Sequence, residues 1–214
     1  MKRAADYDII FVQREAFITG SSYFEKAFAK RSKLIFDFDD AIWLRDVSQA
    51  NRKFGFLKNP KKTDRIISVS HLVIAGNNYL EDYARQFNKN VIVIPTTIDT
   101  DYHKRSSVQK TDNRICIGWT GSITTMKHFE YAIPFLKKLK EKYKDKIYFK
   151  VIGEGGYGND QMEVRSVDWN KENEIADLSE FDIGIMTLPD DKWAQGKCGL
   201  KGLSYMAMEI PTIM

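Results

Sequence analysis

The residues of this chain that are best suited to chemistry lie in four short segments of the sequence. The first, GWTGS at residues 118–122, follows an apolar run typical of a strand and precedes an amphipathic stretch that contains Lys127. Gly121 and Ser122 would let backbone N–H groups approach a phosphate at the N-terminus of the following helix. Lys127 would add a full positive charge. The segment therefore indicates a phosphate site, with a tight strand-to-helix turn as the alternative.

The second segment, GEGG at residues 153–156, also follows directly after an apolar run. Glycine lacks a Cβ atom, so the backbone at Gly153 and Gly155 can come close to a ligand, with Glu154 between them. A flexible turn without a ligand is the alternative. The position at the end of a strand favours a part in binding.

Two lysines characterise the third segment, WAQGKCGLK at residues 193–201, which precedes the last amphipathic stretch. Lys197 and Lys201 are four residues apart, at or near the N-terminus of a predicted helix. Cations at that end oppose the helix dipole, and a bound anion would offset this cost. The segment thus indicates an anion site, and two solvent-exposed lysines are the alternative.

Three carboxylates in four residues form the fourth segment: Asp37, Asp39 and Asp40, at the end of an apolar run. They resemble the DxD pattern that binds a metal together with a nucleotide diphosphate. They could instead bind the hydroxyl of an acceptor, act as a base, or cap the next segment. We favour a role in acceptor binding, or a structural role, over metal binding. The reason comes from the resemblance given below.

Neither the histidines nor the cysteines have the spacing of metal ligands. The histidines are His71, His103 and His128, and the cysteines Cys116 and Cys198 form no CxxC pair. Free cysteines fit a reducing compartment. The sequence therefore predicts no metal and no cofactor.

The 214 residues carry a formal net charge of +4 that is spread along the chain. Nucleic-acid-binding proteins usually concentrate their basic residues, so nucleic acid is not an expected partner. The first residues are charged and lack the apolar core of a signal peptide. No apolar run approaches the ~20 residues that cross a bilayer. We expect a cytoplasmic protein, with peripheral contact at the inner face of the membrane as an open alternative.

Short apolar runs alternate with amphipathic stretches, which predicts α/β units with parallel strands buried on both faces. The predicted strands are 7–13, 34–38, 72–75, 91–94, 115–119, 147–152, 163–167, 183–186 and 210–214. The predicted helices are 21–30, 61–68, 77–87, 127–143 with a kink or a later start at Pro134, 173–178 and 199–208. A polar stretch divides the series, so we expect domains at 1–100 and 114–214 with a linker at 101–113.

The order of the motifs resembles the GT-B glycosyltransferases of the bacterial group 1 (family 4) type over nearly the whole chain. The pieces that carry the resemblance are YDIIFVQRE, IFDFDDAIW, VIAGNNYLEDYA, NVIVIPTTIDTDYH, IGWTGS, VIGEGG, FDIGIMTLPDD and WAQGKCGLKGLSYMAMEIP. Their order and spacing are more specific than any one of them.

The resemblance implies two Rossmann-like domains, an N-terminal one for the acceptor and a C-terminal one for a UDP- or GDP-linked sugar. It places Gly121, Ser122 and Lys127 at the donor diphosphate and residues 153–155 at the nucleoside. It puts Lys197 and Lys201 at the donor phosphate and sugar. The family generally stabilises the leaving diphosphate with cations instead of a metal. It further implies a sugar or lipid-linked acceptor and a role in cell-surface polysaccharide or glycoconjugate synthesis.

Some features depart from the family pattern. Gly196 and Ser204 stand where many members have the two glutamates of an E-x7-E motif, and Glu209 replaces a customary glycine. We expect both Rossmann-like units to be incomplete, as in a chain truncated at both ends. An inactive fragment, or a nucleotide-binding or scaffold protein of the same ancestry, is therefore the alternative function. A dehydrogenase is disfavoured, because no GxGxxG follows a strand with an acidic residue about 20 positions later.

Overall fold

A computed structural model describes residues 2–17, 19–44, 59–106, 110 and 112–214. The chain forms two compact units. The first unit contains Met1–Thr96 and Asp190–Cys198, and the second contains Thr97–Pro189 and Gly199–Met214. This division differs from the expected one, because residues 190–198 belong to the first unit although they come late in the sequence. Within the expected linker, residues 107–109 and 111 lie outside the described residues.

The first unit is built on a parallel sheet with the strand order β1-β2-β3-β4. Its strands are β1 (Ile9–Gln13), β2 (Lys33–Phe38), β3 (Leu72–Ala75) and β4 (Val91–Val93). Its helices are α1 (Tyr23–Ala29), α2 (Lys61–Val69), α3 (Asn78–Ala84) and the short α7 (Lys192–Gln195). The sheet contains no described antiparallel pair, as the alternation of strands and helices predicts.

Only one face of this sheet is buried under helices. Alternate residues such as Val12, Phe36 and Val73 point into a core that α1, α2 and α3 cover. On the opposite face the edge strands are exposed, with Phe11 at 57% and Ile92 at 43% of their full accessible surface, whereas Ile35 and Ile74 of the central strands are partly buried. The prediction of strands buried on both faces therefore does not hold for the edge strands β1 and β4, because the described helices α1, α2 and α3 cover the other side of the sheet.

The second unit has a parallel sheet with the order β7-β6-β5-β8-β9. Its strands are β5 (Ile115–Thr120), β6 (Ile147–Ile152), β7 (Val164–Val167), β8 (Ile183–Ile185) and β9 (Thr212–Ile213). Its helices are α4 (Met126–Glu130), α5 (Ile133–Tyr143), α6 (Glu174–Ser179) and α8 (Leu200–Ala207). All six residues of β6 are buried, as a central strand covered on both faces requires.

Two hydrophobic cores cover the two faces of this second sheet. On one face Trp119 and Phe149 pack with Phe129 of α4, and on the other Tyr148 and Ile152 share a core with Tyr205 of α8. The second face also buries one charge. The ammonium group of Lys150 in β6 lies 2.8 Å from Asp177 and 2.9 Å from Glu180. A buried lysine of this kind is tolerated only when acidic groups pair with it.

The sequence located these elements well. Each predicted strand and helix has its counterpart in the structure, with bounds shifted by a few residues. The long stretch around Pro134 divides into α4 and α5, and Pro134 lies in the first turn of α5, where its missing N–H costs nothing. Helix α7 was not predicted. Among residues 2–17, 19–44, 59–106, 110 and 112–214, no helix has both the length and the apolarity that a membrane crossing requires.

Candidate functional site

The strand ends of the second unit meet at two glycines. Gly121 follows β5 and donates its N–H to the carbonyl of Ile152 at 2.9 Å. Gly153 follows β6 with a φ of +144°, and a Cβ atom there would lie 1.8 Å from the carbonyl oxygen of Gly121. Because both residues lack a side chain, the carboxyl ends of β5 and β6 approach each other closely. In open α/β sheets this edge is where ligands bind.

The backbone N–H groups expected to face a phosphate are already used inside the protein. Gly153 donates to the carbonyl of Val167 at 2.8 Å, and Gly155 to a carboxylate oxygen of Asp168 at 2.8 Å. The N–H of Ser122 donates to the hydroxyl of Thr125 at 3.0 Å. These N–H groups therefore stabilise the loops through hydrogen bonds within the protein. The first N–H groups of a helix have no partner within it. In the turn that begins at Ile123, Ser122 and Thr125 form a capping box, and the N–H of Thr125 donates to the carbonyl of Ser122 at 2.8 Å.

Lys201 brings a cation to this edge. Its ammonium group lies 3.4 Å from the hydroxyl of Thr125 and 4.2 Å from the ring centroid of Trp119. A Cβ atom on Gly121 would lie 2.6 Å from that ammonium group. The glycine thus leaves the space that the lysine occupies. Lys201 also lies in the first turn of α8, whose dipole favours anions.

Lys127 and Glu154 are half-buried at the same end of the second unit. Lys127 lies in α4, one residue after its start at Met126. Glu154 accepts a hydrogen bond on its carbonyl from the N–H of Tyr157 at 3.1 Å, which closes the loop after β6. Lys127 thus follows the loop after β5, and Glu154 lies in the loop after β6.

In the first unit, the carboxylates after β2 form an ion-pair network. The guanidinium group of Arg14, which follows β1, donates to Asp39 at 2.8 Å and to Asp40 at 2.7 Å. The ammonium group of Lys197 lies 2.7 Å from the other carboxylate oxygen of Asp40. Both oxygens of Asp40 are thus paired with cations, whereas Arg14 holds only one oxygen of Asp39.

Lys197 reaches Asp40 because residues 190–198 pack on the first unit. Asp191 caps α7 through a hydrogen bond from the N–H of Ala194 at 2.8 Å. The side chain of Asn77 donates to the carbonyls of Gln195 and Lys197, both at 3.2 Å. The same side chain caps α3, so one amide fixes two elements.

Two close contacts place residues 190–198 against the carboxyl ends of β2 and β3. A Cβ atom on Gly196 would lie 2.6 Å from the Cβ of Ala41, and one on Gly76 would lie 2.4 Å from the sulfur of Cys198. Cys198 donates to the carbonyl of Asp39 at 3.2 Å. Burial raises the pKa of the Cys198 thiol, so it stays protonated at neutral pH. The contact of this thiol with the carbonyl of Asp39 is therefore structural.

Sequence reasoning missed Arg14, whose partners are 25 and 26 residues away. It is one of the few residues other than glycine with a positive φ, at +60°. The neighbouring Asp37 has a raised pKa because it is partly buried and because Asp39 lies near it. No local pattern in the sequence marks an arginine after a strand as a partner of carboxylates after another strand.

The structure divides the predicted site residues into two groups. Lys201 lies with Gly121, Ser122 and the loop after β6 in the second unit, whereas Lys197 lies with Asp39 and Asp40 in the first. In the described part of the chain, no three His, Cys, Asp or Glu side chains are grouped so that they could hold a metal ion.

The fold of this chain is similar to that of several solved glycosyltransferases. The pneumococcal O-GlcNAc transferase GtfA, in complex with UDP and GlcNAc, aligns with a TM-score of 0.62 at 12% identity over 95% of this chain and 41% of its own. The chain has the fold of GT-B glycosyltransferases. A mutant of S. aureus TarM, in complex with Fondaparinux, alpha-GlcNAc-glycerol and UDP, aligns at 0.58 and 16% identity over 86% and 36% of the two chains.

The GT-B likeness extends to sucrose-phosphate synthase from Thermosynechococcus elongatus, with a TM-score of 0.57 at 9% identity over 84% of this chain and 50% of that one. The chain thus spans half or less of the length of these three structures. No protein-family model and no curated protein matches the sequence. The likeness to GT-B structures is therefore one of fold.

Proposed function

We propose that this chain belongs to a glycosyltransferase that moves a sugar from a nucleotide-sugar donor to an acceptor. Two of the solved structures that share its fold contain UDP together with a sugar ligand. Those ligands belong to the other proteins. For this chain, the proposal rests on what its own residues can do at the carboxyl edges of its two sheets.

The second unit would bind the diphosphate of the donor. The ammonium of Lys201 lies at Gly121 and Thr125, next to the helical turn that begins at Ile123. A diphosphate bound there would receive a charge-assisted hydrogen bond from the lysine. It would also lie near the N-terminus of α8, where the helix dipole favours an anion. Lys127 would add charge from α4, and Gly153 to Gly155 would border the nucleoside.

The first unit would receive the acceptor at Asp39 and Asp40. Carboxylate oxygens accept hydrogen bonds from sugar hydroxyls, and Asp39 is the less fully paired of the two residues. Lys197 neutralises Asp40 in this arrangement. In the sequence, Lys197 and Lys201 suggested one anion site. The proposal instead assigns the diphosphate to Lys201 and gives Lys197 a part on the acceptor side.

Transfer breaks the bond between the sugar and the diphosphate and leaves negative charge on the leaving oxygen. A fixed cation at that oxygen stabilises the transition state more than the ground state, which is the requirement for catalysis. Lys201 can do this without a large rearrangement, because Trp119 and Thr125 already hold its ammonium group. In the proposed reaction, Lys201 and Lys127 would supply the positive charge at the leaving diphosphate.

The position of Lys201 against Gly121 and Thr125 is the single observation that carries the proposal. The test incubates the purified chain with a panel of UDP- and GDP-sugars and measures release of UDP or GDP, with and without sugar acceptors. We expect release from at least one donor, and a loss of 100-fold or more in the Lys201→Ala variant, as for other charge-stabilising groups (about 10²–10³-fold). The exposed Lys138→Ala variant on α5 is the matched control.

Nucleotide binding without turnover would instead favour the alternative, a nucleotide-binding or scaffold protein of the same ancestry. We further propose that the acceptor is a sugar or a lipid-linked sugar of a bacterial cell-surface polysaccharide, and that transfer occurs in the cytoplasm or at the inner face of the membrane. Cell fractionation tests this part: recovery of the protein outside these two fractions would contradict it.

A further inference from the structure

We propose that Arg14 is a positioning residue that fixes Asp39 and Asp40 for the acceptor. The inference rests on the proposed function in one respect, which is that these two carboxylates serve the acceptor side. Arg14 lies in the segment YDIIFVQRE, but it belongs to none of the four segments that were first considered for chemistry. Its role follows from its backbone, its guanidinium group and the loop that it begins.

The backbone of Arg14 has an unfavourable conformation. Its φ of +60° lies in the left-handed region, which residues other than glycine adopt at a cost. The N–H of Arg14 donates to the carbonyl of Asp37 at 2.7 Å, so the conformation is fixed at the end of β2. Outliers of this kind concentrate at functional sites, where the surrounding structure maintains them.

The side chain of Arg14 binds two carboxylates at once. One guanidinium nitrogen donates to Oδ1 of Asp39 at 2.8 Å and another to Oδ2 of Asp40 at 2.7 Å. A planar guanidinium group can hold two carboxylates in one fixed orientation, whereas an ammonium group acts as a point charge. This contact leaves Oδ2 of Asp39 outside the fork, where it can accept a hydrogen bond from a sugar hydroxyl.

A buried lysine anchors the loop after Arg14. The ammonium group of Lys62 in α2 donates to Glu15 at 2.8 Å, to the carbonyl of Thr19 at 2.9 Å, and to the carbonyl of Phe17. The side chain of Lys62 is almost fully buried, and the buried carboxylate of Glu25 lies 3.8 Å from its ammonium. A buried cation with these partners holds residues 15, 17 and 19 in place, and so it supports Arg14.

The test replaces Arg14 with glycine. Glycine tolerates a φ of +60°, so the loop keeps its conformation while the guanidinium group is lost. Lys144→Gly is the matched control, because Lys144 is exposed and also has a positive φ, at +48°. For the full chain and each variant we would measure the melting temperature, the affinity for UDP by calorimetry, and the binding of glucose, galactose and N-acetylglucosamine by saturation-transfer NMR.

We expect Arg14→Gly to weaken sugar binding tenfold or more, with a UDP affinity within twofold of the wild type and a melting temperature within about 3 °C of it. Asp39→Asn should weaken sugar binding similarly, and Arg14→Gly should add nothing in that background, because Arg14 acts through Asp39. Lys144→Gly should change neither affinity.

Two results would overturn the inference: equal sugar binding by the wild type and Arg14→Gly, or no sugar binding by the wild type. The UDP titration separates this failure from a failure of the proposed function. Sugar binding that depends on Arg14 in a chain that does not bind UDP would support the inference and count against the proposed donor site alone.

Discussion

The ammonium group of Lys197 lies 2.7 Å from a carboxylate oxygen of Asp40, a residue 157 positions earlier in the chain. Lys201, only four residues later, belongs to the second unit and contacts Thr125. Two lysines that look like one anion site in the sequence therefore have different partners. Replacement of Lys197 and replacement of Lys201 should therefore have different effects on UDP binding.

Lys197→Ala should leave the affinity for UDP within about threefold of the wild type, because the side chain that it removes pairs with Asp40. Ion pairs that are partly exposed contribute about 1 kcal/mol or less, so the variant should still fold. Calorimetry with UDP checks the first expectation and thermal melting the second. A tenfold loss of UDP affinity in a folded Lys197→Ala variant would assign Lys197 to the donor site.

Gly153→Ala should destabilise the second unit and abolish UDP binding. The new Cβ would lie 1.8 Å from the carbonyl oxygen of Gly121, and the φ of +144° disfavours a side chain in any case. The matched control is Gly156→Ala, since no atom lies within 4 Å of the corresponding Cβ position. We expect the control to bind UDP normally. Normal UDP binding by Gly153→Ala would show that the two strand ends need not approach closely.

Lys150 provides a test of the charge buried in β6. Asp177→Ala combined with Glu180→Ala would leave the buried ammonium unpaired and should cost about 3–5 kcal/mol in the free energy of unfolding. Lys150→Met should cost much less, because both carboxylates keep some contact with water. Denaturant unfolding of the two variants measures this difference, and equal costs would contradict the account.

The exposed face of the first sheet predicts opposite outcomes for neighbouring residues of β1. Phe11 lies on the exposed face at 57% exposure, whereas Val12 lies in the core at 6%. Phe11→Lys should change the free energy of unfolding by about 0.5 kcal/mol or less. Val12→Lys should unfold the first unit, because it buries an unpaired charge. A large loss of stability in Phe11→Lys would show that this face is covered in solution.

The sequence predicted the elements because each strand is a short apolar run and each helix is amphipathic. It also pointed to the loops after β2, β5 and β6 as candidate sites, since ligands bind at the carboxyl ends of parallel strands, and that part stays a prediction. It did not predict that residues 190–198 belong to the first unit. The position of a segment in the sequence does not determine the sheet against which it packs. Arg14 and Lys62 were missed for the same reason, as their partners are distant in sequence.

Glu209 shows what a departure from a family pattern can mean physically. It stands where glycine is customary, and its φ is +58° after the end of α8. Glycine adopts that conformation without steric cost, so the customary residue reflects the backbone of a helix end. The substitution therefore bears on local stability, and the candidate site residues are elsewhere.

The most direct test of the account is a calorimetric titration of the full chain with UDP, beside the Lys201→Ala and Lys138→Ala variants. The account predicts that the wild type and Lys138→Ala bind UDP with the same affinity, and that Lys201→Ala loses at least tenfold, about 1.4 kcal/mol. No binding by a folded wild type, or equal binding by all three proteins, would contradict a donor diphosphate site at Lys201.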